Sequence, residues 1–276
     1  MSLFDLPRRR FKNQFYIFVS YESQYHSGDI LKQRSVWTKK YFIPDNFFNA
    51  TMSYRKDSDI TAASGVLSRL TDDELQNRTS DHEEIVRSIF QRPKSLLQFV
   101  SHCETMSRRE IYINELKKYI DVTVFGKCSG RRCSKECDKR AVAEHKFYLS
   151  FENSVCRDYI TEKMYDRIGN LLPVVLRRST YKGIIPDEAF IAADDFNCPK
   201  DLANYLNYLS SNYTAFSKYF EWRKRWKIEL KVEECELCRF VQLYRGKTKT
   251  LPSIRKWLYH DSDCKHFYGE QLTCGG

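Results

Sequence analysis

Phe147-Tyr148-Leu149-Ser150-Phe151, followed by Glu152-Asn153-Ser154-Val155-Cys156-Arg157-Asp158-Tyr159-Ile160-Thr161-Glu162-Lys163, reads as an apolar strand, a polar turn and a helix over Thr161 to Ile168. The same alternation recurs outward from it. Leu96 to Ser101 is a short apolar strand, and Ser107 caps a helix whose Tyr112, Leu116 and Tyr119 share one face. Val122 to Gly126 is the next strand, so strand, helix and strand fit within ~30 residues, the pattern of a βαβ unit in an open parallel sheet. Pro173 to Leu176 and Phe190 to Ala193 add strands. Pro199 to Asn212 is an amphipathic helix with Leu202, Leu206 and Leu209 inward, and Phe216 to Leu230 reads as its helical continuation. On the amino-terminal side, Gln14 to Val19 is a buried strand leading into a loop with Glu22 and His26. Arg55 to Asp59 is a charged turn, Thr71 to Ser80 is polar, and Asp81 caps a helix to Phe90. The fold class is α/β.

In an open α/β sheet, ligands sit beyond the carboxyl ends of the strands. The stretch ending at Lys163 occupies such a place. Helix-terminal N–H groups there suit a pyrophosphate, and Lys163 adds a point charge. Glu162 can accept hydrogen bonds from ribose hydroxyls, and Tyr159 can stack or donate. No glycine-rich run is present, so this is neither a P-loop nor a dinucleotide fingerprint. A capped helix with exposed Glu162 and Lys163 fits the same residues, and the residues alone leave both readings open.

Composition narrows the class. The 276 residues are 42% hydrophobic and 14% aromatic, a globular composition, and 46 basic against 36 acidic residues give a charge of +10. That charge favours anionic partners without choosing among nucleic acid, lipid and sugar nucleotide. Basic residues are scattered, with runs only at Arg8-Arg9-Arg10 and Arg223-Lys224-Arg225, so no nucleic-acid partner is expected. Ten cysteines call for disulfides or zinc. Cys235-x-x-Cys238 lacks a second CxxC, since Cys133 to Cys137 is C-x3-C, and disulfides are favoured. Sequons at Asn49, Asn77 and Asn212 are glycosylation candidates that fit a secretory route. Yet Phe15 to Val19 is far shorter than the ~20 residues of a spanning helix, and Met1 to Pro7 lacks the apolar core of a signal peptide.

Ser150-Phe151-Glu152-Asn153-Ser154, Cys156, and Asp158-Tyr159-Ile160-Thr161-Glu162-Lys163 resemble the donor-binding motif of the alpha-1,3-fucosyltransferases, glycosyltransferase family 10. Phe48 to Ile60 resembles that family's FNWTMSYRRDSDI block, with Ala50 for its tryptophan. Glu22-Ser23-Gln24-Tyr25-His26-Ser27 resembles its ESPxHT loop, with Gln24 for the proline. Val100-Ser101-His102-Cys103 with Arg109, Tyr112 and Leu116, then Phe125 to Cys128, Ala193 to Phe196 and Glu221 to Lys224 are similar to further blocks in the same order.

The resemblance implies a GT-B architecture, two Rossmann-like halves with the site in the cleft between them. It implies inverting transfer of fucose from GDP-fucose to a hydroxyl of N-acetylglucosamine on a glycoprotein or glycolipid acceptor. By motif position Glu22 is the general base, Arg109 and Lys163 hold the diphosphate, Asn153, Tyr159 and Glu162 bind nucleotide and fucose, and His26 is an acceptor-side candidate. No cofactor is required and no metal site is expected, with Asp57-Ser58-Asp59 read as structural although it looks like a DxD motif. The sequon at Asn49 lies inside a family block and is compatible with a structural asparagine. Cys235, Cys238, Cys264 and Cys274 resemble the family's disulfide-bearing carboxyl terminus.

The expected division is a partial acceptor-side domain over 1–95, a GDP-fucose-binding domain over 96–232 and a cysteine-rich tail over 233–276. Members of the family are anchored in the Golgi membrane with a lumenal catalytic part. Here the ESPxHT-like loop follows Met1 by 21 residues, which implies an amino-terminal half without anchor, stem and first strands. Two readings follow: a fucosyltransferase represented by a shortened chain, or a silent relative that binds GDP-fucose without turnover. A basic, zinc-containing nucleic-acid binder is the remaining alternative.

Overall fold

Short apolar strands, each separated from the next by a helix or loop, build two parallel sheets in the computed structural model, which describes residues 9–11, 14–27, 43–77, 81–229 and 233–274. The chain divides into two units. Met1–Ala63, Cys156–Tyr159 and Lys231–Cys264 form the first, and Ser64–Val155, Ile160–Leu230 and Lys265–Gly276 form the second.

In the first unit, Ile17–Ser20 (β1), Ala50–Ser53 (β2) and Ile60–Thr61 (β3) pair in that order, all parallel. The helix Glu233–Tyr244 lays Phe240 among Ala50, Met52 and Ile60, a buried apolar cluster. The charged turn after β2 has an unexpected interior. Arg55 is fully buried, with its guanidinium on Asp57, on the Trp257 carbonyl and on Ser262 Oγ, and stacked 4.2 Å from the Trp257 ring centroid. Asp59 accepts from Thr51 N and from Lys249. Both carboxylates of the DxD-like sequence therefore brace the fold.

In the second unit, Val66–Arg69 (β4) pairs antiparallel with Trp226–Glu229 (β10), and a five-stranded parallel sheet holds the rest. Its strands are Lys94–Phe99 (β5), Val122–Phe125 (β6), His145–Leu149 (β7), Leu172–Val175 (β8) and Ile191–Ala192 (β9), in the spatial order β6-β5-β7-β8-β9. This is the doubly wound order in which the winding direction reverses between the first and third strands, β5 and β7. The period-2 alternation of β7 covers both faces. Phe147 and Leu149 join Leu96, Leu172, Val174 and Leu206 in one core, while Tyr148 packs with Leu97 and Leu171 in another. A parallel sheet buried on both faces needs such doubly apolar strands.

Several expectations are corrected. The units do not follow cuts at 95 and 232: residues 64–95 belong with the second unit, because β4 pairs with β10 and Val86 and Ile89 of the helix Asp81–Phe90 join its core. The carboxyl-terminal stretch to Cys264 belongs with the first. Phe216 to Leu230 is no continuous helix. A short helix Tyr213–Ser217 passes into a 3-10 turn, Lys218–Lys224, and then into β10, whose Trp226 and Ile228 face an apolar cluster with Leu67. Ser107 is not a cap. Its hydroxyl donates to the Glu152 carbonyl at 2.7 Å, and left-handed Arg108 (φ 51°) precedes the helix Arg109–Leu116. Tyr119 lies beyond that helix and is 37% exposed. The side chain of Asp81 and residues 78–80 lie outside the described residues.

Four disulfides lie among the described residues: Cys103–Cys128, Cys133–Cys137, Cys156–Cys264 and Cys198–Cys274. Cys264 and Cys274 thus reach back into the chain, and Cys235 and Cys238 are exposed free thiols. Cys156 and Cys264 close a span of 108 residues, which in a chain-entropy account stabilises by about 4–5 kcal/mol. No helix among the described residues is long and apolar enough to cross a membrane.

Candidate functional site

The reversal between β5 and β7 leaves a crevice at their carboxyl ends, where the loops after neighbouring strands diverge. The second unit has a cavity of about 400 Å³ there, within the range of small-ligand sites. Val100, Ser101 and His102 line it after β5, Gly126 after β6 and Asn153 after β7, with Cys133, Arg109, Glu162 and Lys163 completing the wall. Four of the sequence-selected donor residues, Arg109, Asn153, Glu162 and Lys163, therefore share one cavity.

Each is placed by a local cause. Arg109 opens its helix with the guanidinium turned inward, 3% exposed, on the carbonyls of Phe151 and His102. It braces the loop after β7 against the loop after β5 and presents its charge at the cavity wall. Asn153 is 8% exposed, and its Oδ1 is buried without a hydrogen-bond partner among the described residues. Such a group is costly unless a ligand or water donates to it.

Glu162 and Lys163 begin a helix that is only one turn long, Glu162–Tyr165, with Thr161 as its cap. The expected longer helix to Ile168 is thus cut short. Its leading amides are already engaged, since Thr161 N donates to Glu152 and Lys163 N to Thr161 Oγ1. The positive charge at the cavity wall is carried by the side chains of Arg109 and Lys163.

The residue that sets up Lys163 is one the sequence reading passed over. Glu152 is 5% exposed, accepts from Thr161 N and Oγ1 at 2.8 Å, and lies 3.3 Å from Lys163 Nζ. Burial pushes the Glu152 pKa up, and Lys163 and Thr161 only partly offset this. For Lys163, burial favours the neutral amine, but Glu152 and Glu162 outweigh it and its pKa is raised. For Glu162, burial acts upward, yet the adjacent Lys163 prevails and the carboxyl is lowered. The cavity wall thus holds a firmly protonated amine between two carboxylates. The Glu of a strand-to-helix turn was visible in sequence, but its burial was not.

Gly126 is the second missed residue. It has φ 110°, and a Cβ built on it would lie 2.3 Å from the Val100 carbonyl oxygen. Backbone conformation and close approach both demand glycine. Gly126→Ala is expected to cost about 2 kcal/mol from backbone strain, with the clash added, and to push the β5 loop into the cavity. Chemical unfolding together with nucleotide binding checks this, and the expected result is a loss in both.

The remaining sequence-selected residues lie in the first unit. Exposed Glu22 follows β1, and its loop is held by Ser20 Oγ and Ser27 Oγ donating to the Glu22 carbonyl, and by His26 N donating to Ser23 O. These bonds supply the stiffness that a proline at Gln24 would have given. His26 is half-buried in the same turn. Tyr159 is 1% exposed and donates its hydroxyl to Glu22 Oε2 at 2.6 Å, so the structure joins two residues that sequence reasoning had given separate tasks. Of the sequons, Asn49 is 9% exposed, accepts from Tyr16 N at 2.7 Å and donates to the Lys249 carbonyl, as a structural asparagine does. Asn212 caps the helix Tyr213–Ser217 through Oδ1. The side chain of Asn77 lies outside the described residues.

Against known families, residues 89–257 match "Glycosyltransferase family 10 (fucosyltransferase) C-term" and residues 1–65 match "Fucosyltransferase, N-terminal". The chain belongs to glycosyltransferase family 10. It is 32% identical over 221 residues to the alpha-(1,3)-fucosyltransferase fut-1 of Caenorhabditis elegans, covering 78% of this chain and 48% of that protein. To alpha-(1,3)-fucosyltransferase C of Drosophila melanogaster it is 28% identical over 272 residues, covering 92% and 62%. This family 10 chain therefore spans about half to three fifths of these relatives' lengths. A crystal structure of an alpha1,3-fucosyltransferase with GDP-fucose matches with a TM-score of 0.55 over 86% of this chain and 77% of that one, at 15% identity. That likeness shows the fold, a GT-B-like α/β architecture, in which the family 10 carboxyl-terminal region carries the switch-point cavity.

Proposed function

We propose that this family 10 chain transfers L-fucose from GDP-fucose to an N-acetylglucosamine hydroxyl of a glycan, with inversion to an alpha-1,3 linkage. The observation that carries this reading is the switch-point cavity, whose wall brings Lys163, Arg109, Asn153 and Glu162 together. A sugar nucleotide needs that set: cations for the diphosphate, a donor-seeking amide oxygen such as Asn153 Oδ1, and an acceptor such as Glu162 for ribose hydroxyls.

In the proposed reaction the acceptor hydroxyl attacks the anomeric carbon of fucose as its bond to the diphosphate oxygen breaks. Glu22 takes the hydroxyl proton, and GDP leaves carrying the electron pair, its added charge stabilised by Lys163 and Arg109. No resident metal is invoked. Support comes from Asp57 and Asp59, whose carboxylates are engaged by Arg55 and Lys249. Tyr159 is reassigned below from the donor to the base. His26 stays an acceptor-side candidate by its place in the Glu22 loop, and Golgi residence is proposed by family analogy alone.

The test is incubation of the purified chain with GDP-fucose and an N-acetyllactosamine acceptor, with mass spectrometry of the products. A fucosylated product supports the reading. Donor binding without product would favour a silent relative, and absence of donor binding by a folded sample would overturn both.

A further inference from the structure

We infer that Tyr159 is the positioning residue of the general base: it holds the Glu22 carboxylate in the orientation needed to take the acceptor proton. This deepens the proposed function and rests on its assignment of Glu22. The geometry is direct, since Tyr159 Oη lies 2.6 Å from Glu22 Oε2, a charge-assisted distance, across 137 residues of sequence.

Glu22 needs such a partner. Its side chain is exposed at the end of β1, and an exposed carboxylate on a short loop samples many rotamers. A bond to one carboxylate oxygen fixes the group and leaves the other oxygen to receive a proton.

Tyr159 is built to hold something still. Its ring is 1% exposed and meets Tyr54 edge to face, with centroids 4.8 Å apart at 67°. The short segment Cys156–Tyr159 is tied down within its own unit at every residue. Cys156 is bridged to Cys264, and Arg157 N donates to the Ser262 carbonyl while its guanidinium pairs with Asp57 at 2.7 Å. Asp158 holds a left-handed conformation at φ 62° and accepts from Lys56 N. A merely packed aromatic ring has no need of so many anchors on four residues. The single hydroxyl proton of Tyr159 is directed at Glu22.

The experiment compares Tyr159→Phe, Glu22→Gln and the double variant in the intact protein. Phenylalanine keeps the ring and its contact with Tyr54, and thermal unfolding checks that it folds. Donor affinity is measured by calorimetry with GDP-fucose, and kcat and KM by product formation. The expected result for Tyr159→Phe is a fall in kcat of roughly 10- to 100-fold, as loss of orientation costs, with donor affinity unchanged. In the Glu22→Gln background the same change should have almost no further effect, because Tyr159 acts through Glu22. A weakened donor Kd with unaltered kcat would make Tyr159 a donor ligand and overturn the inference. So would full additivity of the two changes, or no effect of Tyr159→Phe while Glu22→Gln is inactive. If Glu22→Gln itself keeps wild-type turnover, the assignment of the base fails instead, and the inference falls with it.

Discussion

Glu22→Gln is expected to lower fucosyl transfer by roughly 10²- to 10⁴-fold, the usual contribution of a general base, with GDP-fucose binding retained. Glutamine keeps the shape and still accepts from Tyr159, so the Tyr159 bond of 2.6 Å persists in weaker form. What is lost is the capacity to take a proton. The fall should therefore appear in kcat for the transfer reaction. Calorimetric affinity for GDP-fucose should stay within about twofold, because the proposed donor residues Lys163, Arg109, Asn153 and Glu162 line the switch-point cavity of the other unit. A parallel loss of donor affinity would instead make Glu22 a binding residue. Because the side chain is exposed and its carbonyl is held by Ser20 and Ser27, no loss of stability is expected.

The parallel sheet was legible because β5, β6, β7 and β8 are apolar on both faces, and a helix or turn separates each from the next. That pattern depends on sequence spacing alone. β10 was not legible. Trp226-Lys227-Ile228-Glu229 alternates for only four residues, directly after an aromatic and basic run of helical appearance, and its partner β4 lies about 160 residues earlier. Cysteine pairing was equally hidden. Cys156–Cys264 and Cys198–Cys274 join residues far apart in sequence, and of the four carboxyl-terminal cysteines expected in a disulfide-bearing tail, Cys235 and Cys238 are free thiols. At the site, charged residues announced themselves and their mutual arrangement did not. Lys163 was recognisable, but the burial of Glu152 beneath it was not. Tyr159 stood in the middle of the donor motif, yet its hydroxyl meets Glu22, 137 residues earlier in the chain. Motif contiguity suggested a single donor-binding task, whereas the chain divides within the motif, with Cys156–Tyr159 in one unit and its flanks in the other.

Lys163→Met should impair binding and folding together, and the two losses can be separated. For binding, removing the cavity ammonium should weaken GDP-fucose affinity by roughly 10- to 100-fold, the effect of losing a hydrogen bond to a charged group. For folding, methionine leaves Glu152, 5% exposed, without its cation. Breaking a buried pair in this way costs about 3 kcal/mol, the low end of the usual range because Thr161 continues to donate two bonds. The pH dependence follows from the sign of the shift. The folded pKa of Glu152 is raised above its ordinary value by burial, and Lys163 acts to lower it. A carboxyl raised in the folded state favours folding when protonated, and that advantage is lost as pH rises through the folded pKa. Without Lys163 the folded pKa climbs further. The deficit of Lys163→Met should therefore be largest at neutral pH and above, and should shrink as pH falls toward 5, where the wild-type chain gains less. Thermal unfolding at pH 5 and pH 7.5 reads this directly, and an unchanged deficit at both would sink the explanation. Adding Glu152→Gln removes the stranded charge. The double variant should recover most of the stability, as neutral replacements of buried pairs commonly do, while donor affinity stays low. Recovery of stability without recovery of binding would assign Glu152 to holding the lysine and Lys163 to holding the nucleotide.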